Sequence, residues 1–145
     1  MILVDLSQVM ISTIMAQLAG QKVDIDEDLL RHMVLNTIRS LKTKFYSDFG
    51  ELIICCDDKK VWRKDVFKYY KANRKKNRDK SDLDWHLIFD MLAKFKTELK
   101  ENFPYKVIDV EGAEADDIIG TLVPRYASNE DILILSSDND FLQLQ

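Results

Sequence analysis

Apolar positions along the chain fall into two regimes. Four short runs are almost unbroken: "ILV" at residues 2–4, "LIICC" at 52–56, "YKVIDV" at 105–110 and "ILIL" at 132–135. Runs that do not alternate with polar residues predict strands covered on both faces, as in a parallel sheet. The intervening segments have helical spacing. Ser7 is placed to cap a helix through Leu18 that stops at Gly20. From Asp26 onward, Leu29, Met33, Thr37, Leu41 and Phe45 form one stripe, closed by Gly50. Later, Trp85, Ile88, Phe89, Leu92, Phe95 and Leu99 form another before Pro104. These stripes predict helix faces packed in a core. Pro124 removes a helical hydrogen bond and crowds the carbonyl of Gly120, so a kink or early end is expected there. The expected fold class is α/β: a mainly parallel central sheet flanked by helices, with right-handed crossovers.

At 145 residues the chain is expected to make one domain, 1–145, with a full core. No apolar run approaches the roughly 20 residues of a membrane helix, and "MILVDLSQ" lacks the basic start of a secretion signal. The expected location is the cytoplasm, with no membrane partner. Cys55 and Cys56 are adjacent in a strand, point to opposite faces and have no ligand-spaced partners, so they read as buried thiols.

Charge changes the picture more than composition does. The net charge is −4, but residues 59–80 hold eleven Lys or Arg against Asp65 and Asp79, giving +9, and the remainder carries −13. Such asymmetry points to a polyanion at one place and cations at another. In "VWRKDVFKYYKANRKKNRDK" aromatics are interleaved with cations, a pattern suited to single-stranded nucleic acid: the cations neutralise phosphates and the rings stack on bases. The bland alternative, a solvated helix face, would carry mixed signs.

The acids converge. Asp5 ends the first strand, Asp57 the second, and "SSDND" with Asp138 and Asp140 follows the fourth. "EADDIIG", with Glu114, Asp116 and Asp117, opens a helix after the third. Carboxyl ends of parallel strands form the ligand crevice of open α/β sheets. Any one of these acids alone is a turn or cap residue; seven at one edge repel and call for compensation. Oxygen ligands without His or Cys favour Mg²⁺ or Mn²⁺, and two such ions can clamp the oxygens of a phosphodiester in hydrolysis. Asp58, Asp109 and Glu111 read as a solvated margin, and His32 and His86 as helix residues without ligand partners.

Asp5, "CCDD", "YYKANR", "EADDIIG" and "SSDNDFLQL", in that order, resemble the 5′-nuclease superfamily of flap endonucleases and polymerase-associated 5′ exonucleases, including its phage ribonuclease H branch. The resemblance implies Mg²⁺-dependent removal of RNA primers or 5′ flaps in DNA replication with two Mg²⁺ ions, which Mn²⁺ can replace. It implies that Asp5, Asp57, Glu114, Asp116, Asp138 and Asp140 hold the metals, with Asp117 beside them. It implies catalytic roles for Lys71, Arg74 and Asp138, with Lys71 on the scissile phosphate and Arg74 as electrophile. Tyr70 is implied to stack on the terminal nucleotide, and Arg63, Lys64, Lys75 and Arg78 to contact the strand. Residues 59–80 correspond to the start of a helical arch. The implied partners are an RNA:DNA hybrid or 5′-ended flap or duplex DNA, and replication proteins such as a single-strand-binding protein or sliding clamp. The family continues past "DND" with a further metal-ligand aspartate and a helix-hairpin-helix-like region that these 145 residues do not contain. Two other readings remain: a PIN-type single-strand ribonuclease, and a nucleic-acid-binding domain that does not cut.

Overall fold

The computed structural model describes residues 1–17, 26–78 and 83–144, apart from the side chains of Gln17 and residues 75–77. Four strands, β1 (Ile2–Asp5), β2 (Leu52–Cys56), β3 (Lys106–Asp109) and β4 (Leu133–Leu135), form one parallel sheet in the order β3-β2-β1-β4. Its register pairs Ile2 with Leu52 and Leu133, and Cys55 with both Asp5 and Ile108. All four carboxyl ends therefore lie at the same edge.

The pleat separates two cores. Ile2, Val4, Leu52, Ile54 and Cys56 face the helices α1 (Leu6–Gln17), α2 (Glu27–Phe49) and α5 (Trp85–Asn102). Leu3 and Cys55 face α6 (Ala115–Tyr126) and a terminal 3₁₀ turn (Asn139–Leu144), packing on Ile118, Ile119, Val123, Phe141 and Leu144. Coverage on both faces is why the strand sequences show no alternation. The adjacent cysteines do point to opposite faces, and burial pushes both thiols up to about 12.

Several expectations shift. The buried stripe of α2 begins with Leu30, Val34 and Ile38, one residue along from the expected start, and Leu29 is 45% exposed; Leu41 and Phe45, as expected, pack against the same core. Asp26 caps this helix, its Oδ1 accepting from the backbone N–H groups of Asp28 and Leu29. On α5 Met91 is buried with Ile88, Phe95 and Leu99, while Phe89 faces outward. Helix α6 runs through Pro124 and ends two residues later, at Tyr126; with the proline in the last turn the helix forgoes its one bond to the Gly120 carbonyl and continues only briefly. Leu18 and Gly20, expected to end α1, lie outside the described residues.

The basic segment forms two short helices, α3 (Trp62–Val66) and α4 (Ala72–Arg78), joined by a turn. In that turn Lys71 has φ 54°, a left-handed conformation unusual for a side-chain-bearing residue.

Candidate metal and phosphate site

Asp5 leads directly from β1 into α1. Its Oδ1 accepts from the backbone N–H of Gln8 at 3.0 Å, so Asp5, rather than Ser7, caps the helix. Ser7 is thereby free for another task, and its hydroxyl donates to Asp57 Oδ2 at 2.7 Å. The other oxygen of Asp57 accepts from Ala115 N at 2.8 Å, at the start of α6. The ends of β1, β2 and α6 are thus tied together through Asp57.

Glu114 precedes α6 and is the most buried acid, with a side chain 7% exposed. Three donors from the basic segment reach it: Lys71 Nζ at 2.7 Å, Tyr70 Oη at 2.8 Å and Arg63 Nη1 at 3.0 Å. Asp117 receives Arg63 through both guanidinium ends at 2.7 Å and Trp62 Nε1 at 3.2 Å, and it accepts from Glu114 N at 2.9 Å. Although partial burial works against ionisation, these donors hold the Asp117 carboxyl below its ordinary value. Burial likewise opposes the charge of Lys71, but the bond to Glu114 wins and its ammonium is held above its ordinary value. Arg63 also lies over the Trp62 ring, 4.8 Å from its centroid.

The opposite wall is not compensated in this way. Burial, countered by the Gln8 N–H and reinforced by Asp57 and Asp116, pushes the Asp5 carboxyl up to about 6. Asp116 is also raised, first by burial and then by Asp138, Asp57 and Glu114, with Lys71 opposing. Five acids therefore feel one another across this edge: Asp5, Asp57, Glu114, Asp116 and Asp138. Asp138 accepts from Asp140 N at 3.0 Å, whereas the Asp140 carboxylate stands exposed on the 3₁₀ turn. Among the described residues, no three His, Cys, Asp or Glu side chains are arranged as a ready-made shell around an ion. The donor chemistry nevertheless fits a hard divalent cation: the ligand atoms are all oxygen, no cation of the chain acts on Asp5, and only Lys71 acts on Asp116.

The basic residues divide as well. Arg63, Tyr70 and Lys71 turn inward to the acids, whereas Lys64 and Arg74 are exposed, with Arg74 close enough to oppose the charge of Lys71. Arg78 folds over the rings of Phe89 and Trp85, 5.2 and 5.9 Å from their centroids. The side chain of Lys75 and all of Lys80 lie outside the described residues. Sequence reasoning missed three contributors. Trp62 and Ser7 carry no acidic or basic signal. Asp58, set aside as margin, accepts from Gly112 N and Lys59 N, both at 2.7 Å. It thereby fastens the start of the basic segment to the turn at Gly112, where φ is 79°.

Comparison with known proteins agrees with this fold. Residues 2–145 match the family model described as the 5′-3′ exonuclease, N-terminal resolvase-like domain. The chain is 38% identical to the ribonuclease H of Enterobacteria phage T4 over 98% of its own length and 48% of that protein's. It is also 38% identical to a 5′-3′ exonuclease of Bacillus subtilis over 63% of its length and 29% of that protein's. The fold superposes on T5 5′-exonuclease, in a structure described with bound zinc, with a TM-score of 0.67 at 20% identity, covering 99% of this chain and 51% of that one. The chain spans about half the length, or less, of the curated relatives it matches. With the family's model matched from the first strand to the last 3₁₀ turn, the chain belongs to the 5′-3′ exonuclease family as its N-terminal, resolvase-like domain.

Proposed function

We propose that this domain carries the phosphodiester-cleaving site of a metal-dependent 5′ nuclease that removes RNA primers or 5′ flaps during DNA replication. The observation that carries the reading is the juxtaposition, at one sheet edge, of acids short of cations with Lys71 and Arg63 anchored beside them. Asp5, Asp57, Glu114, Asp116, Asp138 and Asp140 would hold two Mg²⁺ ions directly or through water, and Mn²⁺ would serve in their place. Such ions supply charge neutralisation at the phosphate and activation of water. Lys71 and Arg74 hold the non-bridging phosphate oxygens and offset the charge that develops on them. Asp117 acts through Arg63, fixing the guanidinium beside Glu114. When a phosphate enters, Lys71 exchanges the Glu114 carboxylate for a phosphate oxygen, which leaves Glu114 available as a ligand. The bound zinc described for the T5 5′-exonuclease structure and the activities named for the relatives support this reading.

One observation favours a second reading for these 145 residues on their own. Glu114 and Asp117 are already neutralised by the chain's own cations, and no three acids are arranged around an ion. A unit in that state binds nucleic acid without cutting it. Incubation with a 5′-flap or RNA-primed duplex and Mg²⁺ separates the two. Cleavage that is lost in the Asp138→Asn, Asp140→Asn double variant and on chelation supports the nuclease. Cleavage that survives that double substitution overturns the metal assignment, and salt-sensitive binding without cleavage supports the second reading.

A further inference from the structure

Tyr70, the ring implied to stack on a nucleotide, is drawn toward the acidic wall. Its hydroxyl is bound to Glu114, and the cations of Lys71 and Arg63 lie 5.1 and 5.8 Å from its ring centroid. The neighbouring rings are placed differently. Phe67 is 57% exposed and Tyr69 72% exposed, and Val66 beside them is 78% exposed. The two rings meet edge to face, with centroids 6.0 Å apart and planes at 68°. The backbone holds them there: Phe67 N donates to Arg63 O at 2.8 Å, Tyr70 N to Phe67 O at 2.9 Å, and Ala72 N to Tyr69 O at 3.1 Å.

An exposed aromatic pair in a folded domain needs a reason. Lys64 and Lys68, both exposed, stand near these rings in sequence, within a segment of eleven cations and two acids. That setting repels a basic partner and leaves a purely apolar one with unpaired charge beside it, whereas a single-stranded nucleic acid brings phosphates for the lysines and flat bases for the rings. The turn also sets direction. Tyr69 and Tyr70 are consecutive, so a base against Tyr69 lies one residue from the ring that touches Glu114.

We propose that Phe67 and Tyr69 form a base-stacking platform for unpaired nucleotides flanking the phosphate held at Lys71. This deepens the nuclease reading and rests on it, since it presumes that nucleic acid occupies the basic segment. Without contacts to base edges, the platform accepts any base and discriminates a base-bearing strand from one without bases.

The test uses fluorescence anisotropy with two labelled strands of equal length, oligo-dT and an abasic oligodeoxynucleotide, at several salt concentrations. The wild-type chain should bind oligo-dT about tenfold more tightly than the abasic strand. Phe67→Ala, Tyr69→Ala should bring oligo-dT down to the abasic level while leaving abasic binding and its salt slope unchanged, and Phe67→Tyr, Tyr69→Phe should restore the preference. Equal wild-type affinity for the two strands, or a preference that survives loss of both rings, overturns the platform while leaving the nuclease reading intact. Absence of salt-dependent binding to either strand overturns the reading beneath it, and the platform with it.

Discussion

Replacing Arg63 with methionine keeps the apolar stem and removes three charge-assisted hydrogen bonds, two to Asp117 at 2.7 Å and one to Glu114 at 3.0 Å. Such bonds contribute roughly 1.5–3 kcal/mol each when isolated, but they do not add here. Glu114 keeps Lys71 and Tyr70, and Asp117 keeps Trp62 Nε1 and the Glu114 N–H, so neither acid is left bare. With side chains 28% and 22% exposed, the Arg63–Asp117 pair lies between a surface bridge, at about 0–1 kcal/mol, and a fully buried one, whose breakage costs about 3–5 kcal/mol. The expected loss is about 2 kcal/mol, which at a urea m-value of about 2 kcal/mol/M moves the midpoint down by about 1 M. A double-mutant cycle with Asp117→Asn isolates the pair and should return a coupling of about 1–2 kcal/mol. If the two single losses simply add to within about 0.5 kcal/mol, the clasp between the basic segment and α6 does not contribute to the folded state.

Lys71 tests backbone and side chain separately. Lys71→Gly and Lys71→Ala both lose the bond to Glu114, but at φ 54° glycine is relaxed and alanine is not, so the alanine variant should unfold about 1 kcal/mol more easily in urea. Leu30→Ala should cost about 2–4 kcal/mol and Leu29→Ala less than about 0.5 kcal/mol, because only Leu30 is buried; comparable losses would place the core stripe of α2 wrongly. The two thiols, held protonated to about 12, should ignore a thiol reagent at about pH 8 until the chain is unfolded, then react at two sites per chain. Their sign follows from linkage. The folded chain keeps both protons at pH values where the unfolded chain has released them, so stability is full below about pH 8.5 and falls as pH climbs from there toward 12.

The sheet was the most legible part of the sequence. A strand buried on both faces writes its burial into every residue, and each of the four runs matches an observed strand to within one residue at either end. The acids were legible because parallel strands bring their ends to one edge whatever the helices do. Helix phase was harder to read: Leu29 and Leu30 are equally apolar, and only the longer run of Leu30, Val34, Ile38, Leu41 and Phe45, apolar throughout, separates the buried face from the one through Met33 and Thr37. The inward turn of Arg63, Tyr70 and Lys71 was not legible at all. It depends on a left-handed residue and on a short acidic wall opposite, and a charge count reports that cations are present without saying which way they point.

The strand order carries a consequence for synthesis. β1 is made first but pairs on both sides, with β2 and with β4, and roughly 80 residues separate those two partners in the chain. At about 5–20 residues per second, a ribosome makes β4 about 4–16 s after β2, and until then the second edge of β1 has no partner. During that interval Asp5 and Asp57 have been made, but the Asp138 turn does not yet exist. The nascent chain thus passes through a stage with half a site and an open strand edge, and the edge that closes last is the one that brings in the last acids.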